Sequence, residues 1–223
     1  NNADIMAKNI SYNNSNSLFE VWINQKKEFN LELKVPGLHN IYNALSAIAI
    51  CLEINVKHNY IIKGLEQFCG VKRRFEIKYN NINNKNIILI DDYAHHPSEI
   101  LSTIEAAKSG WPNRKIISIF QPHLFSRTQD FYKDFSKSLN SSDINIVSPI
   151  FAAREKPIKN VSSSIITNQL KKIGHNKTYE CDSFEDIANL IIEHVNENDI
   201  ILVMGAGDIY KSINTIYEKL MYE

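Results

Sequence analysis

A group of ionisable side chains follows a short apolar run in the middle of the chain. The run is Ile-Ile-Leu-Ile at residues 87–90, which is typical of a strand buried on both faces of a sheet. The residues after it carry carboxylate, phenol and imidazole groups: Asp91, Asp92, Tyr93, His95 and His96. Pro97 is favoured at the first position of a helix. The pattern predicts a ligand site at the carboxyl end of a strand; the alternative is a polar loop that only caps a helix.

A second polar loop carries another imidazole and a guanidinium. Residues 116–120 form an apolar run, and His123 and Arg127 follow it. Arg127 falls in the first turn of a predicted helix, where the helix dipole disfavours a cation, so a functional reason is favoured over a surface position. We expect both residues to face the same crevice as Asp92 and His95, with the helix N-terminus adding positive potential for an anion.

Two weaker motifs lie earlier in the chain. His39, Asn40 and Asn43 lie at the start of a small-residue apolar helix that continues through 44–52, and a side-chain amide offers the donor and the acceptor that an adenine edge needs. The alternative is a helix cap plus a surface Asn. Arg73 and Arg74 are either a solvated pair, or one of them binds a phosphate or a carboxylate in bidentate geometry.

The periodicity of the sequence divides the chain near residue 71. Residues 4–35 predict short antiparallel strands, with a hairpin of 17–23 and 29–35 around 24–27, followed by the helix over 44–52 and another over 60–68. Beyond residue 86, strands and helices alternate. The predicted strands are 86–91, 115–120, 144–149, 178–181 and 199–204, and the predicted helices are 97–109, 127–139, 162–173, 184–195 and 208–221. This alternation predicts an α/β fold with a doubly wound, mostly parallel sheet. Gly205-Ala206-Gly207 predicts a tight turn with close backbone packing, because the rest of a dinucleotide fingerprint is missing.

Composition excludes several classes of partner. Lys plus Arg equal Asp plus Glu at 25 each, so no net charge favours nucleic acid or an anionic membrane. The three cysteines are scattered without a CxxC pair, which favours reduced cytoplasmic thiols over a zinc site or disulfides. No apolar run approaches the ~18 residues of a membrane span. Adjacent His95 and His96 point in different directions, so we expect no metal site there.

Six segments together resemble the Mur ligases. They are PGLHNIYNALSAIAI (36–50), GVKRRFE (70–76), DDYAHHPSEI (91–100), GWPNRK (110–115), FQPHLFSRT (120–128) and MGAGDI (204–209). The resemblance implies that residues 1–71 are the remainder of a central ATP-binding domain and that residues 72–223 form a C-terminal Rossmann-like ligase domain. It also implies a fragment without the UDP-binding domain, and no GxxxxGK[ST] P-loop occurs in the sequence. We therefore expect this polypeptide alone to be inactive.

The resemblance also implies an activity. Family members use ATP to phosphorylate a nucleotide-linked carboxylate, and an incoming amine then attacks the acyl phosphate. The motifs are most similar to those of members that add L-alanine to UDP-N-acetylmuramate in peptidoglycan synthesis. The alternatives are addition of a whole tripeptide to the same sugar nucleotide, or a non-catalytic nucleotide- or amino-acid-binding module. ATP and Mg²⁺ are the implied cofactors, with the metal ligands outside this chain, and the oligomeric state is not predicted.

Roles for individual residues follow from the same resemblance. The nucleotide-binding positions that the family implies are His39, Asn40, Asn43, Arg74 and Asp92. The positions that face the incoming amino acid are Tyr93, His95, His123 and Arg127, and the implied catalytic residues are Arg74, His95 and His123. Asp92 would bind ribose hydroxyls, and Arg127 would bind the amino-acid carboxylate. Some relatives have Arg where this chain has Leu124, so one cation is absent at that position.

Overall fold

The computed structural model describes residues 3–222, which form two compact units. The first unit consists of the chain up to Val71 together with Glu105–Pro112, and the second consists of Lys72–Ile104 together with the chain from Asn113 onward. The assignment of these segments to a central and a C-terminal domain stays a prediction. Within residues 3–222, no helix combines the length and the apolar character that crossing a bilayer requires.

The first unit is a three-stranded antiparallel sheet covered by two helices. Its elements are β1 (Ile5–Asn13), β2 (Asn16–Ile23), β3 (Lys26–Leu33), α1 (Leu38–Glu53) and α2 (His58–Gln67). Alternate residues of β2 and β3 pack against the apolar face of α1, as in the contacts of Phe19 and Leu31 with the cluster around Ile41 and Ile48. The β2–β3 turn is shorter than the predicted 24–27 because Asn24 and Gln25 both have positive φ, which suits a two-residue hairpin.

The second unit is a six-stranded sheet in the order β4-β5-β9-β6-β7-β8. Its strands are β4 (Glu76–Ile82), β5 (Ile87–Asp92), β6 (Ile116–Phe120), β7 (Ile144–Val147), β8 (Thr178–Glu180) and β9 (Ile200–Met204). All neighbouring pairs are parallel except β4 with β5. The sequence did not predict β4, because this edge strand is rich in polar residues and its register with β5 shifts twice.

A helix follows each of the five parallel strands, and these helices cover both faces of the sheet. They are α3 (Pro97–Gly110), α4 (Phe125–Leu139), α5 (Ser164–Lys172), α6 (Phe184–His194) and α7 (Ser212–Tyr222), with a 3₁₀ turn at Ile209–Lys211. Residues of α6 and α7 share a core cluster with Leu89 and Val203 on one face. On the opposite face, the ring of Phe120 lies 5.2 Å from that of Phe135 in α4. The prediction of a mostly parallel α/β sheet is confirmed, and the strands present their carboxyl ends along one edge.

Candidate functional site

Three polar loops meet where β5, β9 and β6 end. These strands are adjacent in the sheet, and backbone hydrogen bonds continue between their loops. The N–H of Gly205 donates to the carbonyl of Asp92 at 3.1 Å, and the N–H of Gln121 donates to the carbonyl of Met204 at 3.0 Å. The polar residues that follow β5 and β6 are therefore held on either side of the β9 loop, at the position expected for a ligand site.

The glycine turn after β9 packs closely against the loop after β6. A Cβ added at Gly207 would overlap Gln121 Oε1 and would lie 2.5 Å from Phe151 Cγ. Gln121 also fixes the turn through its amide, which donates to Asp208 Oδ1 at 3.0 Å and accepts from the N–H of Ile209 at 3.1 Å. The prediction of a tight turn with close backbone packing is confirmed.

Asp92 anchors the loop after β5. Its carboxylate is buried, and it accepts the N–H of Phe75 at 2.8 Å and the N–H of Ala94 at 2.7 Å, one on each oxygen. Burial raises the pKa of Asp92 above its usual value, although both backbone N–H groups favour the charged form. Asp92 thus has a structural function, and its predicted contact with ribose hydroxyls stays a prediction that must use the remaining lone pairs.

Asp91 is a second buried acid, and it lies beside Arg73. It is 3% exposed, and its Oδ2 lies 3.6 Å from Arg73 Nε. Its Oδ1 has no hydrogen-bond partner among the residues that the structure describes. Burial raises the pKa of Asp91 to about 6, and the nearby charge of Arg73 only partly opposes this effect.

Replacing Asp91 with Asn should change how stability depends on pH. Because the pKa of Asp91 is raised to about 6 in the folded state, that state binds more protons than the unfolded state at about pH 4–6. Wild-type stability should therefore fall relative to Asp91→Asn as the pH rises through this range, by on the order of 1–3 kcal/mol in total. Urea unfolding of both proteins at pH 4.5 and pH 7.5 measures this difference, and an equal difference at both pH values would contradict it.

His95 is oriented by the start of α3. Glu99 accepts the N–H groups of His95 and His96 at 3.0 and 3.1 Å, and Glu99 Oε2 lies 3.4 Å from His95 Nδ1. Nδ1 also lies 2.8 Å from the carbonyl oxygen of Tyr93. Because a carbonyl only accepts, Nδ1 carries the proton in this arrangement, and the Nε2 of the neutral ring has a lone pair. His95 can therefore accept a proton at Nε2.

His123 and Arg127 bring two unsatisfied polar atoms to the same edge. The His123 ring stacks on Phe151 with centroids 5.7 Å apart, and it lies 6.0 Å from the ring of His95. Across residues 3–222, neither His123 Nδ1 nor Arg127 Nη1, both buried, has a hydrogen-bond partner. Burial and the charge of Arg127 lower the pKa of His123, which favours a neutral imidazole. Buried groups without partners are costly, so the pair is suited to a polar ligand.

Glu155 is a site residue that the sequence did not assign. Its carboxylate accepts the N–H of Ser126 at 3.0 Å and the Ser126 hydroxyl at 2.5 Å. These bonds lower the pKa of Glu155. They also place the negative charge of Glu155 at the N-terminus of α4. Glu155 therefore offsets part of the positive potential that the sequence predicted at this helix N-terminus, and the binding of a ligand anion there stays a prediction. The motif around Glu155 carries no spacing signal that would have revealed the contact.

Leu124 occupies the N-cap position of α4 with φ of 73°. Its N–H donates to the carbonyl of Phe151 at 3.0 Å, and its own carbonyl accepts the Thr128 hydroxyl at 2.7 Å. These backbone contacts hold an unfavourable conformation for a branched side chain. They do not depend on the identity of the side chain, so the backbone alone holds Leu124 in this conformation.

Four predicted residues remain, Arg74 in the second unit and His39, Asn40 and Asn43 in the first. Arg74 has a side chain that is 54% exposed, and its Nη1 lies 3.8 Å from Glu99 Oε1, so its guanidinium is accessible to an anion. In the first unit, the Asn40 amide donates to the carbonyl of Pro36 at 2.7 Å, but Asn40 is not the helix cap of the alternative, because the N-cap of α1 is Gly37 and no side chain of the described residues caps this helix. Asn43 is exposed and His39 is partly exposed on α1. Their adenine contacts stay predictions.

Comparison with known sequence families decides the relationship of the chain. The profile described as "Mur ligase, glutamate ligase domain" matches residues 73–207, and the one described as "Mur ligase middle domain" matches residues 1–51. The chain belongs to the Mur ligase family. The first profile covers the loops after β5 and β6 and the loop after β9 as far as Gly207.

Individual relatives agree with this family. The UDP-N-acetylmuramate–L-alanine ligase of Clostridium acetobutylicum is 48% identical over 211 residues, which are 94% of this chain and 45% of that protein. The protein of the same name from Clostridium tetani is 42% identical over 213 residues, covering 95% of this chain and 46% of its own length. This Mur ligase chain thus spans about 45% of the relatives that it matches.

Solved structures show the same fold. The crystal structure of UDP-N-acetylmuramate-alanine ligase MurC from Thermotoga maritima aligns with a TM-score of 0.83 and 32% identity, over 98% of this chain and 46% of that one. A murein peptide ligase from Psychrobacter arcticus aligns with a TM-score of 0.65 and 26% identity, over 99% of this chain and 45% of that one. The predicted resemblance to the Mur ligases is confirmed.

Proposed function

We propose that the complete gene product joins L-alanine to UDP-N-acetylmuramate in an ATP-dependent step of peptidoglycan synthesis in the cytoplasm. The observation that carries this proposal is the 48% identity to a protein named UDP-N-acetylmuramate–L-alanine ligase over 94% of this chain. The polar cluster of Tyr93, His95, His123 and Arg127 supports it, because a small amino acid needs a cation for its carboxylate and an acceptor for its amine.

The proposed reaction has two steps. A carboxylate oxygen of UDP-N-acetylmuramate first attacks the γ-phosphorus of ATP, and ADP leaves, so that an acyl phosphate forms. The amine nitrogen of L-alanine then attacks the acyl carbon, and the tetrahedral intermediate expels phosphate to leave an amide. Arg74 is the proposed contact for the phosphate oxygens, because its accessible guanidinium can neutralise charge on the transferred group.

The loops after β5 and β6 are proposed to bind the amino acid and to accept its proton. Arg127 would bind the L-alanine carboxylate through a guanidinium group whose Nη1 has no partner among residues 3–222. The ammonium group must lose a proton before it attacks, and the lone pair on His95 Nε2 is the proposed acceptor. His123, held neutral by burial and by Arg127, would donate or accept a hydrogen bond at the reacting amine.

The described residues supply no cluster of metal ligands from which a magnesium site could be assigned. Within residues 3–222, no group of three His, Cys, Asp or Glu side chains could hold a metal ion. The steps above therefore assign no role to a metal ligand of this chain, and a requirement for Mg²⁺ with ATP stays part of the proposal for the complete protein.

Addition of a tripeptide to the same sugar nucleotide is the second candidate. It is favoured by the likeness to the murein peptide ligase of Psychrobacter arcticus, with a TM-score of 0.65 and 26% identity. The comparison with Thermotoga maritima, at a TM-score of 0.83 and 32% identity, favours L-alanine.

A comparison of turnover with the two substrates distinguishes the two candidates. The complete gene product is incubated with UDP-N-acetylmuramate, ATP and Mg²⁺, and with either L-alanine or the murein tripeptide. We expect release of phosphate and a product with the mass of the L-alanine conjugate, with much slower turnover of the tripeptide. Faster turnover of the tripeptide would replace the first proposal with the second, and no turnover of either would refute both.

A further inference from the structure

The guanidinium group of Arg73 is enclosed by the loops of the site. Its Cζ lies 4.9 Å from the ring centroid of Tyr93 and 4.6 Å from that of Tyr210, so it contacts both aromatic rings. Its Nη2 donates to the carbonyl of Gly205 at 2.6 Å, and its Nε lies 3.6 Å from Asp91 Oδ2. One side chain therefore connects the segment before β4 with the loops after β5 and β9.

The backbone around Arg73 is unusual in the same place. Arg73 has φ of 56° and Phe75 has φ of 50°, a conformation that is unfavourable for large side chains. Hydrogen bonds to neighbouring loops hold this segment. The carbonyl of Arg73 accepts the N–H of Tyr93 at 2.7 Å, and the N–H of Phe75 donates to Asp92 at 2.8 Å. Strain that persists in this way is maintained by the surrounding contacts.

Arg74 lies between these two constrained residues. Its side chain is 54% exposed, and its Cζ lies 5.6 Å from the ring centroid of Tyr93. The fixed residues on either side determine where the Arg74 side chain leaves the backbone, and the Arg73 guanidinium contacts the ring of Tyr93. Both Arg74 and Tyr93 are proposed to face substrates, whereas Arg73 is occupied by contacts within the protein.

We propose that Arg73 is a positioning residue that fixes the Tyr93 ring and the Arg74 backbone by binding between Tyr93 and Tyr210 while it donates to Gly205. The effect on substrate binding rests on the proposed ligase function; the effect on the loop does not. Lys cannot replace Arg here, because an ammonium group has no planar surface to contact two rings and no fork to direct a donor at Gly205.

Hydrogen exchange tests the loop without requiring activity. Amide exchange of residues 72–75 and 92–94 is compared by NMR or mass spectrometry in wild type, Arg73→Lys and Arg114→Lys. Arg114 is a matched control, because its Nη1 also donates to a backbone carbonyl, that of Asn86, at the other end of β5. We expect exchange at Tyr93 and Phe75 to accelerate about tenfold or more in Arg73→Lys only. Unchanged exchange would overturn the proposal.

A double-mutant cycle tests the consequence for the substrate. The KM for L-alanine and kcat are measured for Arg73→Lys, Tyr93→Leu and the double variant of the complete gene product. We expect each single change to raise the KM about tenfold, and the double variant to resemble Tyr93→Leu, because Arg73 acts through that ring. Additive effects on the KM would overturn the assignment. A wild type without ligase activity would refute the proposed function, and hydrogen exchange would still decide whether Arg73 fixes the loop.

Discussion

Replacing Arg127 with Gln should raise the KM for L-alanine by about 100-fold, whereas the KM for UDP-N-acetylmuramate should change little. Arg127 Nη1 is buried without a partner in the described chain, so a carboxylate bound there is desolvated. Removing one member of such a charged pair costs about 2–5 kcal/mol, which corresponds to about 30- to 5,000-fold in affinity. Initial rates with each substrate varied in turn measure this effect in the complete gene product.

A control on the same helix isolates the role of the charge. Lys137 also lies in α4, but its side chain is 75% exposed and forms a solvent-accessible ion pair with Asp134, so Lys137→Gln should leave both KM values unchanged. NMR adds an independent readout. Because burial and then the charge of Arg127 lower the pKa of His123, that pKa should rise in Arg127→Gln. A normal KM for L-alanine in Arg127→Gln would exclude Arg127 as the carboxylate ligand.

Replacing Asp92 with Ala should lower the free energy of unfolding by about 3–5 kcal/mol. The change leaves the N–H groups of Phe75 and Ala94 without their acceptors, and a buried donor without a partner costs about 1–3 kcal/mol. Asp92→Asn should cost less, because the amide oxygen can still accept one of the two N–H groups. Urea unfolding of the three proteins at pH 7 measures the difference.

The surface provides a comparison for this effect. Asp134 has a side chain that is 51% exposed, and its ion pair with Lys137 is solvent-accessible, so Asp134→Ala should change the free energy of unfolding by less than about 1 kcal/mol. If Asp92→Ala were as stable as Asp134→Ala, the two backbone hydrogen bonds would not anchor the loop. A loss of nucleotide binding in Asp92→Asn at nearly full stability would support the predicted ribose contact.

Elements with a strong local hydrophobic pattern could be predicted from the sequence. Elements that depend on contacts with residues distant in the sequence were missed. The strands β5, β6 and β9 were identified because a strand that is buried on both faces is apolar along nearly its whole length. The edge strand β4 was missed because half of it faces solvent. Its pairing with β5 depends on contacts across the sheet that local periodicity does not contain.

The residues of the candidate site also fall into two groups, those that the sequence could indicate and those that it could not. Asp92, His95, His123 and Arg127 could be selected because their types are reactive and they follow strands. The role of Glu155 and the internal contacts of Arg73 could not be predicted, since each residue contacts a partner at a distance in the sequence: Glu155 contacts Ser126 and Arg73 contacts Gly205. The occupied N-terminus of α4 was missed for the same reason. A sequence shows where a helix begins and hence where free backbone N–H groups lie, but it does not show which distant group accepts from them.

The position of β9 has a consequence for biosynthesis. In the sheet, β9 lies between β5 and β6. In the chain, β9 comes last of the three, and residues 121–199 separate it from β6. A nascent chain that has not reached Ile200 therefore has two separate groups of strands, β4-β5 and β6-β7-β8, with unpaired edges at β5 and β6. The second unit can close only late in translation, and until then its exposed edges are sites where chaperones can bind and where neighbouring chains can aggregate.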